Sequence, residues 1–270
     1  MVSERDLDPV GLLGVFAHPD DDVYQLGGWL AMHAATTRTT LVFATSGDAG
    51  PITDGSGATR ETLPAVRERE QRAAMLAIGA DGTTEARFLR HPDYHLPDVP
   101  FDALVGQIER IMLETKPQAV VTFGPDGLTS HHDHIRVGEA TTAAFDRVTA
   151  ASLEAPARLY HTALPRSEVD RFYRELASGS AGHGATYGKE GDLFNLTGVP
   201  DERIAVAVDT TPVRATKLAG ILAHRTQVCE WERIPEPLRW IHLDAERFVQ
   251  ARPERASTTE VASDLFAELA

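Results

Sequence analysis

Residues 14–28 read GVFAHPDDDVYQLGG. An apolar run stops at His18 and Pro19, three consecutive aspartates follow, and polarity then gives way to the pair Gly27–Gly28. Adjacent carboxylates repel one another, and burial removes the water that screens them. A chain that sets them at the end of a buried strand needs a compensating charge there, and a divalent cation is the simplest one.

Working outward, short apolar runs at 11–17 (GLLGVFA), 39–45 (TTLVFAT), 86–89 (ARFL) and 118–124 (QAVVTFG) have the length and the β-branched or aromatic content of buried strands. Between them, residues 62–79 place Val66, Ala73, Ala74, Ala77 and Ile78 at helical spacing ahead of Gly79. Residues 101–115 repeat the pattern with Leu104, Ile108, Ile111 and Met112, and Pro117 follows. Strands alternating with helices predict an α/β fold, Rossmann-like, with a mostly parallel sheet between two helical layers. Ligands of such sheets bind beyond the carboxyl ends of the strands. The polar segments HPDDD (18–22), SGDAG (46–50) and PDGLTSHHDH (125–134) all follow strand candidates, so the chemistry is expected there.

The second half is less regular. Residues 158–164 and 203–209 read as strands and 211–227 as a helix with Pro212 in its first turn, while the glycine-rich 178–192 reads as a mobile loop. No internal repeat or domain boundary stands out. The expectation is a single domain over 1–270 in which residues from about 156 onward complete the pocket.

With 270 residues, 42% of them hydrophobic, the chain has enough material for a substantial core. A net charge of -14 argues against a broad electrostatic grip on nucleic acid or an anionic membrane. Cys229 is the sole cysteine, which excludes an intrachain disulfide and a thiolate metal cluster and fits a cytoplasmic setting. The opening MVSERDLDPV lacks a basic segment leading into an apolar stretch, and no apolar run approaches membrane-spanning length. Self-association is left open.

His18 with the aspartates, and HHDH at 131–134, together offer imidazole and carboxylate ligands, a set that zinc accepts; neither cluster suffices alone. Consecutive residues point in different directions, so Asp20 and Asp21 are expected to divide the work. One binds the metal and its neighbour takes a proton from the attacking water. His131 and His134 share a face if a helix begins there, one binding metal and the other reaching the reacting carbonyl.

AHPDDD followed by LGG, then TSGDAG, RERE leading through AA to IG, GPDGLTSHHDH and finally HRTQ resemble, in order, the motifs of the LmbE-like, or PIG-L, deacetylases. The matches span residues 14–227, and the pairing of AHPDD with HxDH carries most of the specificity. The resemblance implies a zinc-dependent enzyme that removes the N-acetyl group from a small-molecule N-acetylglucosaminyl conjugate. It implies that His18, Asp21 and His134 bind zinc and that Asp20 is the general base. It further implies that His131 stabilises the oxyanion as an imidazolium or protonates the departing amine, with Asp133 orienting it. Arg67 and Asp93 match substrate-binding positions, and His224 is expected beside the pocket.

The chain departs from the family pattern in four places. Asp22 stands where glutamate is usual, Ser130 where glycine is common and His132 where proline is common, which makes His132 a rival ligand. Thr129 stands where some mycothiol-type deacetylases carry a tyrosine that helps stabilise the oxyanion. HPDYH (91–95) repeats the His-Pro-Asp wording, but Pro92 favours a loop over a second metal site. Three rival functions are weighed: an amidase releasing a larger acyl group, magnesium-dependent phosphoryl chemistry, which the imidazoles disfavour, and a sugar-binding protein without catalysis.

Overall fold

A computed structural model describes residues 8–151, 156–178, 195–255 and 260–267. Its strands are β1 (Asp8–Phe16), β2 (Thr37–Thr45), β3 (Thr84–His91), β4 (Ala119–Phe123), β5 (Arg158–Thr162), β6 (Val206–Asp209) and β7 (Ala245–Arg252). They form one sheet in the order β3-β2-β1-β4-β5-β7-β6, parallel from β3 to β5. β7 runs antiparallel to both β5 and β6.

The central strands are apolar on both faces because helices cover both. Every residue of β4 is buried, as is 41–45 of β2, so their sequences read as unbroken apolar runs. The chain moves from β1 outward to β3, then crosses back to β4 and β5. Right-handed crossovers therefore send the helices Gly27–His33 and Leu63–Ala77 to one face and Phe101–Thr115 and His132–Ala151 to the other. The reversal of direction at β1 and β4 leaves a crevice at their carboxyl ends, into which HPDDD and HHDH both project.

Gly28 has a steric role. A Cβ there would come within 2.2 Å of the Thr210 side chain, so only glycine lets the helix at 27–33 sit against the segment that follows β6. Glu246 of β7 accepts the N–H groups of Gly28 and Trp29 at 2.6 and 2.9 Å, closing that helix start, and pairs with Lys217 at 2.7 Å.

The second half departs from expectation in three ways. The strands expected at 158–164 and 203–209 are shorter, and β7 was not anticipated because Glu246, Arg247, Gln250 and Arg252 interrupt its apolar pattern. The helix expected over 211–227 is a 3₁₀ turn at Thr211–Val213 followed by an α-helix at Arg214–Ala223, so HRTQ is a turn. Glu70 draws it out of the helix by accepting both the N–H and the hydroxyl of Thr226, at 2.9 and 2.6 Å. The loop expected at 178–192 lies, beyond Ser178, outside the described residues. No helix among the described residues is long and apolar enough to cross a membrane.

Candidate active site

β1 ends at Phe16, and the chain bends through His18 and Pro19 into a short helix at Asp21–Gln25. Asp20, at the bend, has φ 102°, a conformation rare for a residue with a side chain and a mark of local strain. The Nδ1–H of His134 donates to the carbonyl of Gly127 at 3.1 Å, and the ring stacks on Phe123 at 3.9 Å. Its Nε2 lone pair is thereby aimed at His18.

Three groups converge. His134 Nε2 lies 3.3 Å from His18 Nδ1 and 3.4 Å from Asp21 Oδ1, and His18 Nδ1 lies 3.5 Å from Asp21 Oδ2. A tetrahedral ion bound at about 2.0–2.1 Å sets its ligand atoms about 3.3 Å apart, so the His18–His134 and His134–Asp21 Oδ1 spacings suit a cation of that size, and a nitrogen of His131 lies within 4.8 Å of those of His18 and His134. His18 Nε2 faces Asp93 Oδ1 at 2.9 Å and Asp133 Oδ2 at 3.4 Å, which fixes its proton on Nε2 and leaves Nδ1 as a donor atom. Burial by itself would lower the His18 pKa, but Asp93, Asp133 and Asp21 together raise it well above the ordinary value. Four carboxylates, those of Asp20, Asp21, Asp93 and Asp133, surround this point, and Arg67 is the cation bonded among them. That surplus of negative charge suits a divalent ion.

Asp20 lies beside the triangle. Burial pushes its carboxyl up to about 7 against the opposing pull of Arg67. The Arg67 guanidinium donates to Asp20 Oδ2 at 3.1 Å, to the carbonyl of Gly47 at 3.0 Å and to the carbonyl of Pro19. Arg67 borders the cavity, but its bonds are to the chain itself.

His131 is neutral. Its Nδ1 accepts the backbone N–H of Asp133 at 3.1 Å, which assigns its proton to Nε2. Burial, then the neighbouring His18 and His134, pull its pKa down to about 3. The family pattern implies an imidazolium or an acid for the departing amine at this position, whereas the N–H accepted at Nδ1 favours a neutral imidazole with Nε2–H in this structure. Asp133 also differs from expectation. Its carboxylate accepts from Tyr94 N at 2.8 Å and Leu96 N at 3.1 Å and faces His18; only its backbone N–H touches His131.

The remaining residues sort by their partners. Asp22 is fully buried and accepts from Gln71 Nε2 at 2.8 Å, while Gln71 Oε1 accepts the Asp20 N–H at 3.3 Å. The Oδ1 of Asp22 is buried without a hydrogen-bond partner. His132 directs Nε2 to the carbonyl of Tyr94 at 2.9 Å, so that nitrogen is occupied away from the triangle. His224 is 1% exposed and does not itself line the cavity, but it sits behind the wall within range of the charges of Arg67 and Asp21, which do. In HPDYH, His91 bonds Gln107 at 2.7 Å and His95 pairs with Asp98 at 2.9 Å, while Asp93 lies with His18 and Asp133 in a group whose ligand atoms are within 4.8 Å of one another.

A cavity of about 370 Å³ opens over the cluster. Its far wall draws on Leu164, Leu196, Glu230, Arg233, Ile241 and His242. The sequence does not single these out, nor Tyr94, since only long-range folding brings them together. The nearest signal is HPDYH, where the family pattern points to Asp93 but not to Tyr94, and both face the cavity.

Residues 13–145 match the PIG-L family, described as GlcNAc-PI de-N-acetylase. The chain is 30% identical to a 1D-myo-inositol 2-acetamido-2-deoxy-alpha-D-glucopyranoside deacetylase of Streptomyces avermitilis, covering 97% of this chain and 98% of that protein. Among solved structures, N,N'-diacetylchitobiose deacetylase from Pyrococcus horikoshii superposes with a TM-score of 0.60 at 18% identity, over 89% of this chain and 83% of that one. GalB, a 4-carboxy-2-hydroxymuconate hydratase from Pseudomonas putida, superposes with a TM-score of 0.61 at 18% identity, over 93% and 100%. A deacetylase and a hydratase on one fold mean that the fold alone does not choose the reaction.

Proposed function

The chain belongs to the PIG-L family, and from that premise we propose that it is a zinc-dependent hydrolase acting on an N-acetylglucosamine-type conjugate to give a free amine and acetate. The observation that carries this reading is the triangle of His18 Nδ1, Asp21 and His134 Nε2 with Asp20 and His131 bordering the same cavity. Those three residues would hold the ion, which when bound polarises the amide carbonyl and lowers the pKa of water.

Asp20 accepts a proton from the attacking water as its oxygen bonds to the acetamide carbon. Arg67 holds Asp20 in place, and the His131 Nε2–H donates to the carbonyl oxygen as it gains charge. A neutral imidazole is a poor acid. Asp20 therefore returns the proton to nitrogen as the C–N bond breaks. Asp93 and Asp133 orient His18 from behind. Residues beyond about 156 supply the wall for the rest of the conjugate. A cytoplasmic setting agrees with the lone Cys229.

The test is turnover of 1D-myo-inositol 2-acetamido-2-deoxy-α-D-glucopyranoside and of N,N'-diacetylchitobiose by zinc-loaded protein, read by mass. Loss of an acetyl group supports the proposal; release of a larger acid from longer-chain amides, with no acetate, makes it an amidase instead. Asp20→Ala and His131→Ala are each expected to keep the metal and lose roughly 10²–10⁴ in kcat. Single-turnover rates equal to wild type in either metal-loaded variant would remove that residue from the mechanism.

A further inference from the structure

Tyr94 lines the cavity yet stands half in solvent, at 48% exposure. Its backbone has φ 63°, a left-handed conformation that is an outlier for a bulky residue and persists only when its surroundings impose it. The surroundings here do so from both sides of the peptide. The Tyr94 N–H donates to Asp93 Oδ1 at 2.9 Å and Asp133 Oδ2 at 2.8 Å, and its carbonyl accepts from His132 Nε2 at 2.9 Å. The ring is thereby turned over the site, with its centroid 4.8 Å from that of His131 and 5.5 Å from that of His132.

We propose that Tyr94 is a substrate-contacting residue, its aromatic ring forming the wall against which the sugar ring of the substrate lies beside His131, with His132 as the positioning residue that holds it there. This inference rests on the N-deacetylase reading of the same site. A pyranose presents an apolar C–H face as well as hydroxyls, and an aromatic ring offers matching apolar area at little entropic cost. A half-exposed tyrosine on strained backbone is costly if it only decorates the surface, whereas covered by substrate it gains the contact that its conformation prepares. The departure at 132 has a purpose on this account, since proline has no side-chain donor for the Tyr94 carbonyl.

Because the ring and not the hydroxyl makes the contact, Tyr94→Ala is expected to raise KM for N,N'-diacetylchitobiose about tenfold with kcat within about threefold, and Tyr94→Phe to restore KM. His132→Ala is expected to raise KM by a smaller factor, with zinc content unchanged in all three variants. An unchanged KM in Tyr94→Ala overturns the proposal, as does a Phe variant as impaired as Ala. Loss of zinc together with kcat assigns the tyrosine a structural role and overturns it equally. Calorimetric binding of N-acetylglucosamine to zinc-loaded Asp20→Ala protein, with and without Tyr94→Ala, needs no hydrolysis and so separates this proposal from the reaction. If the wild type hydrolyses no amide, the functional reading fails, and the binding arm still decides Tyr94: weaker binding without the ring supports the contact, while equal binding or none in either protein sinks it.

Discussion

Two groups of buried charges border the same cavity, and they behave as opposites. At the carboxyl ends of β1 and β4, four carboxylates crowd around His18 and His134 with Arg67 bonded only to Asp20 among them. At the start of β7, Lys217 and Glu246 form a one-to-one pair, 0% and 1% exposed, and the glutamate's remaining capacity is taken by Gly28 and Trp29 N–H groups. The second cluster is self-neutralised and holds helix to sheet; the first is unbalanced and its donor atoms point at one another. Buried charge alone is therefore no mark of function, whereas buried charge without internal compensation, open to a cavity, is.

The contrast breaks most visibly at the ligand triangle. His134→Ala is expected to abolish zinc binding and lower kcat/KM by about 10³ or more while the protein still unfolds cooperatively. Full zinc occupancy, measured by elemental analysis, would remove His134 from the ligand set. Lys217→Met should do the reverse, costing about 3–5 kcal/mol in denaturant unfolding by stranding Glu246, with zinc affinity of the folded protein unchanged. A loss under about 1 kcal/mol would mean that the pair is not a structural clamp. Adding Glu246→Gln should recover part of the loss.

Asp93→Asn sharpens the comparison at intermediate size. If it orients His18, zinc affinity measured by chelator competition falls by about 10–100-fold. Unchanged affinity with a raised KM would return Asp93 to the sugar-binding role that the family resemblance implies. The smallest effect is expected at Ser130, whose φ of 58° explains why glycine is common at this place in the motif. Ser130→Gly relieves the left-handed strain but loosens the unfolded chain, so stability should shift by less than about 1 kcal/mol with activity retained. A loss above about 2 kcal/mol would reveal a role for the hydroxyl.

Much of the parallel half was legible because its information is local. The runs at 11–17, 39–45 and 118–124 are apolar on both faces, and each ends where a polar motif begins, so strand, crevice and candidate ligands could be read together. The antiparallel half was not. β7 carries Glu246 and Gln250 into the interior, and Glu246 is satisfied there by Gly28 and Trp29, groups that are distant in sequence. HRTQ leaves its helix because Glu70 captures Thr226 across 156 residues, a contact that no local propensity encodes.

By itself, the sequence determined the chemistry on offer: the types of ligand, their places after β1 and β4, and the excess of carboxylates that asks for a cation. Which nitrogen carries a proton was decided only by the tertiary structure. The Asp133 N–H makes His131 a neutral donor, and Asp93 and Gly127 free one nitrogen each on His18 and His134. The same holds for the partners of Asp133, the grip of Arg67 on Asp20 and the turning of Tyr94 over the site. The reason is physical. Residue type fixes which donors and acceptors exist, but a proton's position and a carboxylate's pKa depend on burial and on groups that meet only when distant segments pack together.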